Sequence, residues 1–366
     1  MRSAIRFPLL GAAIVVLTLG IWGGLLRIGW RLPAAHPDLV VWHGPLMVFG
    51  FLGTVISLER AVALRRWWGY LAPAGTLLGV LLLLTVSSPR PAELALLVAG
   101  LVLLGLFAVI VSAQPTPATA TLALGAGLWV AGVLLWLAGV DLQDVIPWWA
   151  GFLVLTIVGE RLELAALGRL DARGRFAFDA LLAVLVAGLA TTTDRIGGPL
   201  TGVAFVGLAV WLFRFDIARR TVHRPGLPRF VACSLLPGYA WLAVAGVLWM
   251  THGAGSTGLL RDAQLHALFV GFVFSMIFGH APVIFPGVLG IRIPFRRVFY
   301  IHLAVLHAGL LVRVAGDLAN DEHVARDGAL VVAIAIGLFF VATVASGAVA
   351  AFAAAGGRRA LRERVT

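Results

Sequence analysis

Apolar stretches of about 20 residues recur from the N-terminus of this chain to Val349, with short polar breaks between them. As helices, such stretches match the ~30 Å hydrocarbon core of a bilayer. Hydrophobic residues make up 61% of the 366 residues, charged residues only 12%, and the mean hydropathy is +1.00. Soluble domains carry roughly a quarter charged residues. The chain is therefore predicted to be an all-α polytopic membrane protein whose main partner is the lipid bilayer.

The sequence predicts twelve transmembrane helices. They are expected at 8–29, 41–64, 70–86, 92–113, 120–139, 145–167, 176–190, 198–213, 228–250, 263–286, 297–316 and 328–355. The first is interpreted as a retained span, because no small-residue cleavage site precedes a hydrophilic chain. No linker rich in Ser, Pro or charge divides the sequence, so residues 1–366 are predicted to form a single integral membrane domain.

The basic residues predict the orientation. All 28 are arginines, and with twelve spans all but seven fall on the N-terminal side of the membrane. The exceptions are Arg27, Arg31, Arg90, Arg195, Arg261, Arg313 and Arg326. By the positive-inside rule both termini are cytoplasmic. The arginines sit in short loops, so orientation and anionic lipid account for the net charge of +11, and no nucleic-acid partner is expected.

One segment occurs three times. Its copies share a Gly-Phe pair, and a polar residue follows nine positions after the glycine: Gly50-Phe51 with Glu59, Gly151-Phe152 with Glu160, and Gly271-Phe272 with His280. The copies fall on the second, sixth and tenth predicted helices. They divide the chain into sub-repeats of about 1–119, 120–227 and 228–366, which predicts a pseudo-threefold bundle of three groups of four helices.

Two histidines mark a candidate site. His43 opens the second predicted helix and His266 opens the tenth, so both lie near the same face at similar depth. Histidines within a bilayer are costly and usually face the bundle interior or a partner. Two neutral imidazoles on facing helices can ligate a haem iron axially. The alternative, equally supported by these residues alone, is a pair of core histidines hydrogen-bonded to neighbouring groups. Met47, one turn after His43, is either packing or a soft metal ligand.

A second polar set is expected towards the opposite face. Glu59, Glu160 and His280 could form a ring that relays protons, and His302 could approach His280 from the eleventh helix. The stronger alternative treats Glu59 with Arg60, and Glu160 with Arg161, as interfacial ion pairs where the helices leave the membrane.

Two further residues of the eleventh helix are candidates. His307, near mid-membrane, is a candidate second ligand or proton-path residue, with a structural histidine as the alternative. Arg313 is suited to an anionic group such as a haem propionate, and otherwise to an ion pair with Asp317 or a lipid phosphate. The single cysteine, Cys233, excludes an intramolecular disulfide framework and any multi-cysteine metal site.

Three short motifs carry a family resemblance. WHGPLMVFGF from Trp42 resembles a stretch of the NnrS family, haem- and copper-associated membrane proteins of the bacterial nitric oxide response. HALFVGFVFSMIFGHAP from His266 and RVAG from Arg313 are similar to that family's tenth helix and RVA element. The resemblance implies a b-type haem protein of the bacterial inner membrane that serves nitric oxide metabolism or tolerance, or electron transfer with a redox partner or quinone.

More distantly, the chain looks like the catalytic subunit of haem-copper oxidases, and that resemblance names His43 and His266 as axial ligands. No histidine lies between His43 and His223, so a binuclear oxygen-reducing site is not expected and enzyme activity stays open. Pro45 and Leu46 stand where NnrS relatives have a histidine and a glutamate, which argues against a copper site. The alternative function is a proton-coupled transporter that uses intramembrane His and Glu residues without haem. A third is a structural subunit of an oxidoreductase complex.

Overall fold

The computed structural model describes residues 2–33, 36–167, 170–191 and 195–363, and all regular structure in these ranges is helical. The long helices are α1 (Arg2–Arg27), α2 (Leu39–Leu64), α3 (Trp67–Thr85), α4 (Arg90–Ala113), α5 (Pro117–Leu137), α6 (Leu142–Leu167), α7 (Ala172–Ala190), α8 (Gly197–Phe215), α9 (Leu227–His252), α10 (Gly258–Leu289), α11 (Phe299–Ala319) and α12 (Glu322–Glu363). A single helical turn, Ala218–Thr221, lies between α8 and α9. Arg169 and Arg364, two of the arginines used for orientation, lie outside the described residues.

The prediction of an all-helical chain is confirmed for the part that the structure describes. Eleven of its helices are long and apolar enough to cross a membrane, as expected of a polytopic membrane protein. Each predicted segment overlaps one long helix. The helix outside the eleven is α7, whose first half carries Arg173, Arg175 and Asp179.

Local signals explain where several helices begin and end. Thr116 and Thr119 form a capping box at the start of α5, and the Asp171 carboxylate accepts a hydrogen bond from the Gly174 amide in the first turn of α7. Asp321 accepts from two backbone amides in the first turn of α12. Gly290 ends α10 in the left-handed conformation, with a φ of 72°, that glycine adopts without strain.

The three helices that carry the repeat run in the same direction. The His43 and His266 rings are neighbours, and eight residues further along each helix Phe51 stacks on Phe274. Between α2 and α6, Phe49 contacts Trp149, and eleven residues later Arg60 binds Glu160. Contacts that advance equally along both partners require parallel helices. Thus α2, α6 and α10 are mutually parallel.

The Gly-Phe pair of the repeat contributes to packing between helices. A Cβ atom at Gly50 would lie 2.3 Å from Val16 Cγ1, one at Gly151 would lie 2.8 Å from Leu128 Cδ1, and one at Gly271 would lie 2.4 Å from Trp241 Cγ. The phenylalanines that follow, Phe51, Phe152 and Phe272, are buried. Each repeat helix therefore brings a neighbour close at the glycine and fills the interior with the adjacent ring.

Helices α2 and α10 share an irregularity. Each begins as an α-helix, widens to a π-helix at Leu46–Gly53 in α2 and at Ala267–Phe274 in α10, and then returns to α-helical geometry. Pro45 precedes the first segment, but no proline precedes the second in α10, so proline alone is not the cause. Such segments are rare and occur frequently at functional sites. The first begins three residues after His43, and the second begins immediately after His266.

Candidate functional site

His43 and His266 lie together where α2 and α10 begin, which we call the histidine end of the bundle. Their ring centroids are 6.4 Å apart and their planes differ by 17°. Both residues are half-buried. The structure therefore brings together the two residues that the sequence singled out, although they are 223 positions apart in the chain.

Backbone carbonyls determine the tautomer of both histidines. His43 Nδ1 donates to the Gly20 carbonyl oxygen at 2.5 Å, and His266 Nδ1 donates to the Asp262 carbonyl oxygen at 2.8 Å. A carbonyl oxygen can only accept, so each ring carries its hydrogen on Nδ1. The Nε2 lone pairs are left available. This is the usual arrangement of metal-ligating histidines, whose other ring nitrogen donates to a carbonyl or carboxylate.

Helix α1 supports His43 through glycines. A Cβ atom at Gly24 would lie 2.7 Å from Cε1 of His43, and one at Gly20 would lie 2.8 Å from Sδ of Met47. Larger residues at either position would displace these side chains. Met47 thus packs on Gly20, next to the carbonyl that holds His43.

Asp262 connects His266 to Arg313. Arg313 donates to Asp262 Oδ2 through Nε at 3.2 Å and through Nη2 at 2.5 Å, and Asp262 Oδ1 lies 3.4 Å from His266 Nδ1. Both carboxylate oxygens therefore face charged or polar neighbours. The partner of Arg313 is Asp262 and not Asp317, the partner considered from the sequence. The ion pair places Arg313 beside the histidine pair.

Asp317 is left without a partner. Its residue is 3% exposed, and neither carboxylate oxygen makes a hydrogen bond within the described part of the chain. It lies one turn after Arg313 on α11, whose guanidinium is engaged by Asp262.

His307 and His302 occupy separate sites on α11. His307 Nδ1 accepts a hydrogen bond from Trp241 Nε1 at 3.1 Å, and its buried Nε2 has no partner among the described residues. His302 is 1% exposed in a box of four phenylalanines, Phe230, Phe278, Phe299 and Phe339, and neither ring nitrogen has a described partner. No hydrogen bond or ring contact in the described ranges joins His307 to the histidine pair or His302 to His280.

A second charged cluster lies at the opposite, glutamate end of α2, α6 and α10. Arg60 binds Glu160 across helices, and its Nη2 is 3.4 Å from Glu59 Oε1. Arg161 binds both oxygens of buried Asp216, at 2.6 and 2.9 Å, instead of its neighbour Glu160. The predicted ion pairs are thus replaced in part by pairs between helices.

The cluster follows the order of the repeats. Arg60 of the first copy reaches Glu160 of the second, and Arg161 of the second donates to His280 Nε2 of the third at 3.4 Å. Each arginine thus contacts the polar residue of the next copy. The third copy has Ala281 at the arginine position, so this chain of contacts is open between α10 and α2.

Sequence reasoning missed two carboxylates, Asp262 and Asp216. Asp262 precedes His266 by four residues, a spacing that places both on one helix face, so the pair could have been found. Asp216 lies just after α8, and nothing in its local sequence indicates Arg161, 55 positions earlier. Within the described residues, no group of three or more His, Cys, Asp and Glu side chains is arranged to hold a metal ion.

Comparison with known proteins gives a family but no characterised relative. No curated protein matches this chain. A family described as a domain of unknown function, DUF8744, matches residues 6–348, which include both clusters and ten complete long helices, α2 to α11. With nearly its whole length matched, the chain belongs to the DUF8744 family.

Proposed function

We propose that this chain is a membrane-embedded haem protein whose iron is held between His43 and His266. The observation that carries the proposal is the pair of half-buried imidazoles from parallel helices, each with Nδ1 bound to a backbone carbonyl and Nε2 available. A bound haem would supply a one-electron redox centre or a gas-binding iron.

The separation of the rings fits one ion between them. Metal–nitrogen bonds of about 2 Å and about 1 Å from each nitrogen to its ring centre give a centroid separation of roughly 6 Å. The observed value is 6.4 Å. A direct hydrogen bond between the rings would bring them closer, and none is present between them.

A charged donor beside the histidine pair also fits the carboxylate groups of a haem. Arg313 Nη1 makes no hydrogen bond in the described ranges, so it is available to a propionate while Nε and Nη2 hold Asp262. His43 and His266 would bind the iron, and Asp262 would orient His266.

The resemblance to NnrS proteins supports a role in nitric oxide metabolism or tolerance, with electron transfer as the form that two axial histidines favour. If both His43 and His266 bind the iron, a gas would bind only after one of these histidines is displaced. The electron donor would then be a redox partner or quinone.

The proposal includes twelve crossings in three groups of four, with both termini in the cytoplasm of a bacterial cell. Parallel α6 and α10 require an odd number of crossings between them, and α7, α8 and α9 supply three. The 19-residue α7 would be about 28 Å long, enough to cross. The arginine distribution supports the orientation.

The decisive experiment is a reduced-minus-oxidised absorption spectrum of detergent-purified protein, with metal and haem analysis, on the wild type and on His43→Ala and His266→Ala. A low-spin haem spectrum lost in both variants is expected. His223→Ala is the matched control, because its imidazole is exposed in the turn before α9, whereas the far end of α9 packs near His266, so the spectrum should be unchanged. A folded protein that takes up no haem would overturn the proposal.

The second candidate is a proton-coupled transporter, and the charged cluster at the glutamate end favours it. Hydrogen bonds join the three repeat helices at this end: Arg60 binds Glu160, and Arg161 donates to His280. Protonation of His280 would weaken its contact with Arg161, because both groups would then be positively charged. Colourless protein in liposomes that moves protons, with transport lost in His280→Ala, would favour this function over haem binding.

A further inference from the structure

The surroundings of Asp317 do not stabilise an ionised carboxylate. The residue is 3% exposed and neither oxygen accepts a hydrogen bond in the described part of the chain. Its nearest charges are Asp262 of α10, which repels a second carboxylate, and Arg313, which is already bound to Asp262. An isolated buried carboxylate costs many kcal/mol, so such groups take up a proton instead.

The neighbouring elements offer no further counter-charge. Where α12 packs on this part of α11, it presents backbone: a Cβ atom at Gly316 would meet the Ala325 amide nitrogen, and one at Gly328 would meet the Arg313 backbone. The two nearby arginines contact other groups, although Arg326 Nε makes no hydrogen bond in the described part of the chain. On α12, Arg326 lies over Trp30 and beside Asp327; on α10, Arg261 donates to the carbonyls of Ala254 and Gln143. His266 of α10 and Arg27 of α1 interact with Asp262, His43 of α2 lies beside His266, and Asp144 of α6 interacts with Arg261.

We propose that Asp317 is a proton-binding site: a neutral carboxylic acid at neutral pH that releases its proton to water at the histidine end when the histidine site gains positive charge. If the proposed haem is bound, its one-electron oxidation by a redox partner or quinone would add one positive charge at the histidine site, and the Asp317 carboxyl would release one proton to water in compensation. Asp262 would couple the two sites electrostatically, because its carboxylate contacts both Arg313 and His266. The coupling rests on the proposed function, whereas the protonated state of Asp317 does not.

Infrared spectroscopy tests the protonated state directly. At neutral pH the wild type should show a carboxylic acid C=O band that is absent from Asp317→Asn. Asp327→Asn is the matched control and should keep the band, because the Asp327 side chain is 66% exposed and lies outside the buried surroundings of Asp317. Thermal unfolding in detergent verifies that each variant is folded. Equal carboxylic acid absorption in the wild type and Asp317→Asn would overturn the proposal.

The coupling is tested by titrating the haem potential against pH. The wild-type potential should fall with rising pH, with a slope approaching the limit of about 59 mV for each tenfold change in proton concentration in a one-electron couple. Asp317→Asn, permanently neutral, should have a flatter slope. Haem-loaded variants with the same slope as the wild type would overturn the coupling. A protein without haem that still loses its carboxylic acid band in Asp317→Asn would refute the proposed function and leave the proton site standing.

Discussion

At the histidine end, the Asp262 carboxylate pairs with the buried Arg313 guanidinium and contacts the His266 imidazole. Asp262→Asn removes the charge that Arg313 faces while keeping the shape of the side chain. Breaking one side of a buried ion pair costs about 3 kcal/mol or more, because the other charge stays buried and unpaired. We therefore expect Asp262→Asn to lower the free energy of unfolding by about that amount. Denaturant titration in detergent measures it.

The matched control for this prediction is Asp327→Asn. Asp327 is 3.9 Å from Arg326 and its side chain is 66% exposed, so the loss should be below about 1 kcal/mol. Equal losses for the two variants would contradict a structural role for Asp262.

A glycine on α1 determines whether His43 can keep its position. Gly24→Ala would place a methyl group 2.7 Å from the His43 ring, and the ring or the helix must move. Overpacking of this kind costs about 1–3 kcal/mol, so bound haem should fall roughly tenfold or more. Gly11→Ala on the same helix meets nothing within 4 Å and should bind haem as the wild type does. Equal haem content in the two alanine variants would show that α1 does not position His43.

The sequence predicts which residues belong to the candidate site better than it predicts which side chains bind each other there. His43, His266 and Arg313 stand out because polar residues in apolar helices are rare. Their positions in the chain also place the two histidines at one depth. The spacing offers Asp317, one turn away, as one candidate partner for Arg313 beside a haem propionate or a lipid phosphate, yet the guanidinium binds Asp262 on another helix. Partner choice between helices depends on their rotation about their own axes, which local sequence does not contain.

At the scale of elements, the glycine of the repeat keeps α9 close to α10. Gly271→Ala would force a methyl group to within 2.4 Å of Trp241, whose indole holds His307. We expect a loss of about 1–3 kcal/mol in unfolding free energy from the displaced ring. Gly287→Ala, also in α10, meets nothing within 4 Å and should be neutral or slightly stabilising. Equal unfolding curves for these variants would mean that Trp241 relaxes without cost.

The positions of the helices follow from the lengths of the apolar segments and from the proline, glycine and arginine residues between them. Each predicted segment therefore overlaps a helix. The π-helical segments were not predicted, because π- and α-helices have the same apolar composition and differ only in hydrogen-bond register. The start of α12 at Glu322 instead of 328 follows from the Asp321 cap, which lets the helix begin in a polar stretch that a hydropathy reading excludes.

At the scale of the molecule, ion pairs connect the sub-repeats at the glutamate end. If Arg60 and Glu160 join the first and second groups, the single variants Arg60→Gln and Glu160→Gln should each destabilise the protein. The double variant should lose less than their sum, with a coupling of about 1–3 kcal/mol. Purely additive losses would show that the pair contributes nothing to holding α2 against α6.

The number of crossings decides where the two ends of the chain lie. If α7 crosses with the other eleven helices, the termini share one side, and the arginine distribution makes that side cytoplasmic. If α7 lies at the surface, eleven crossings place them on opposite sides. Parallel α6 and α10 argue for the first case, because two crossings between them would make these helices antiparallel. Reporter fusions at each terminus, and after α6 and α7, should show both termini inside and a change of side across α7. The same side before and after α7 would refute the twelve-span bundle and, with it, the three groups of four.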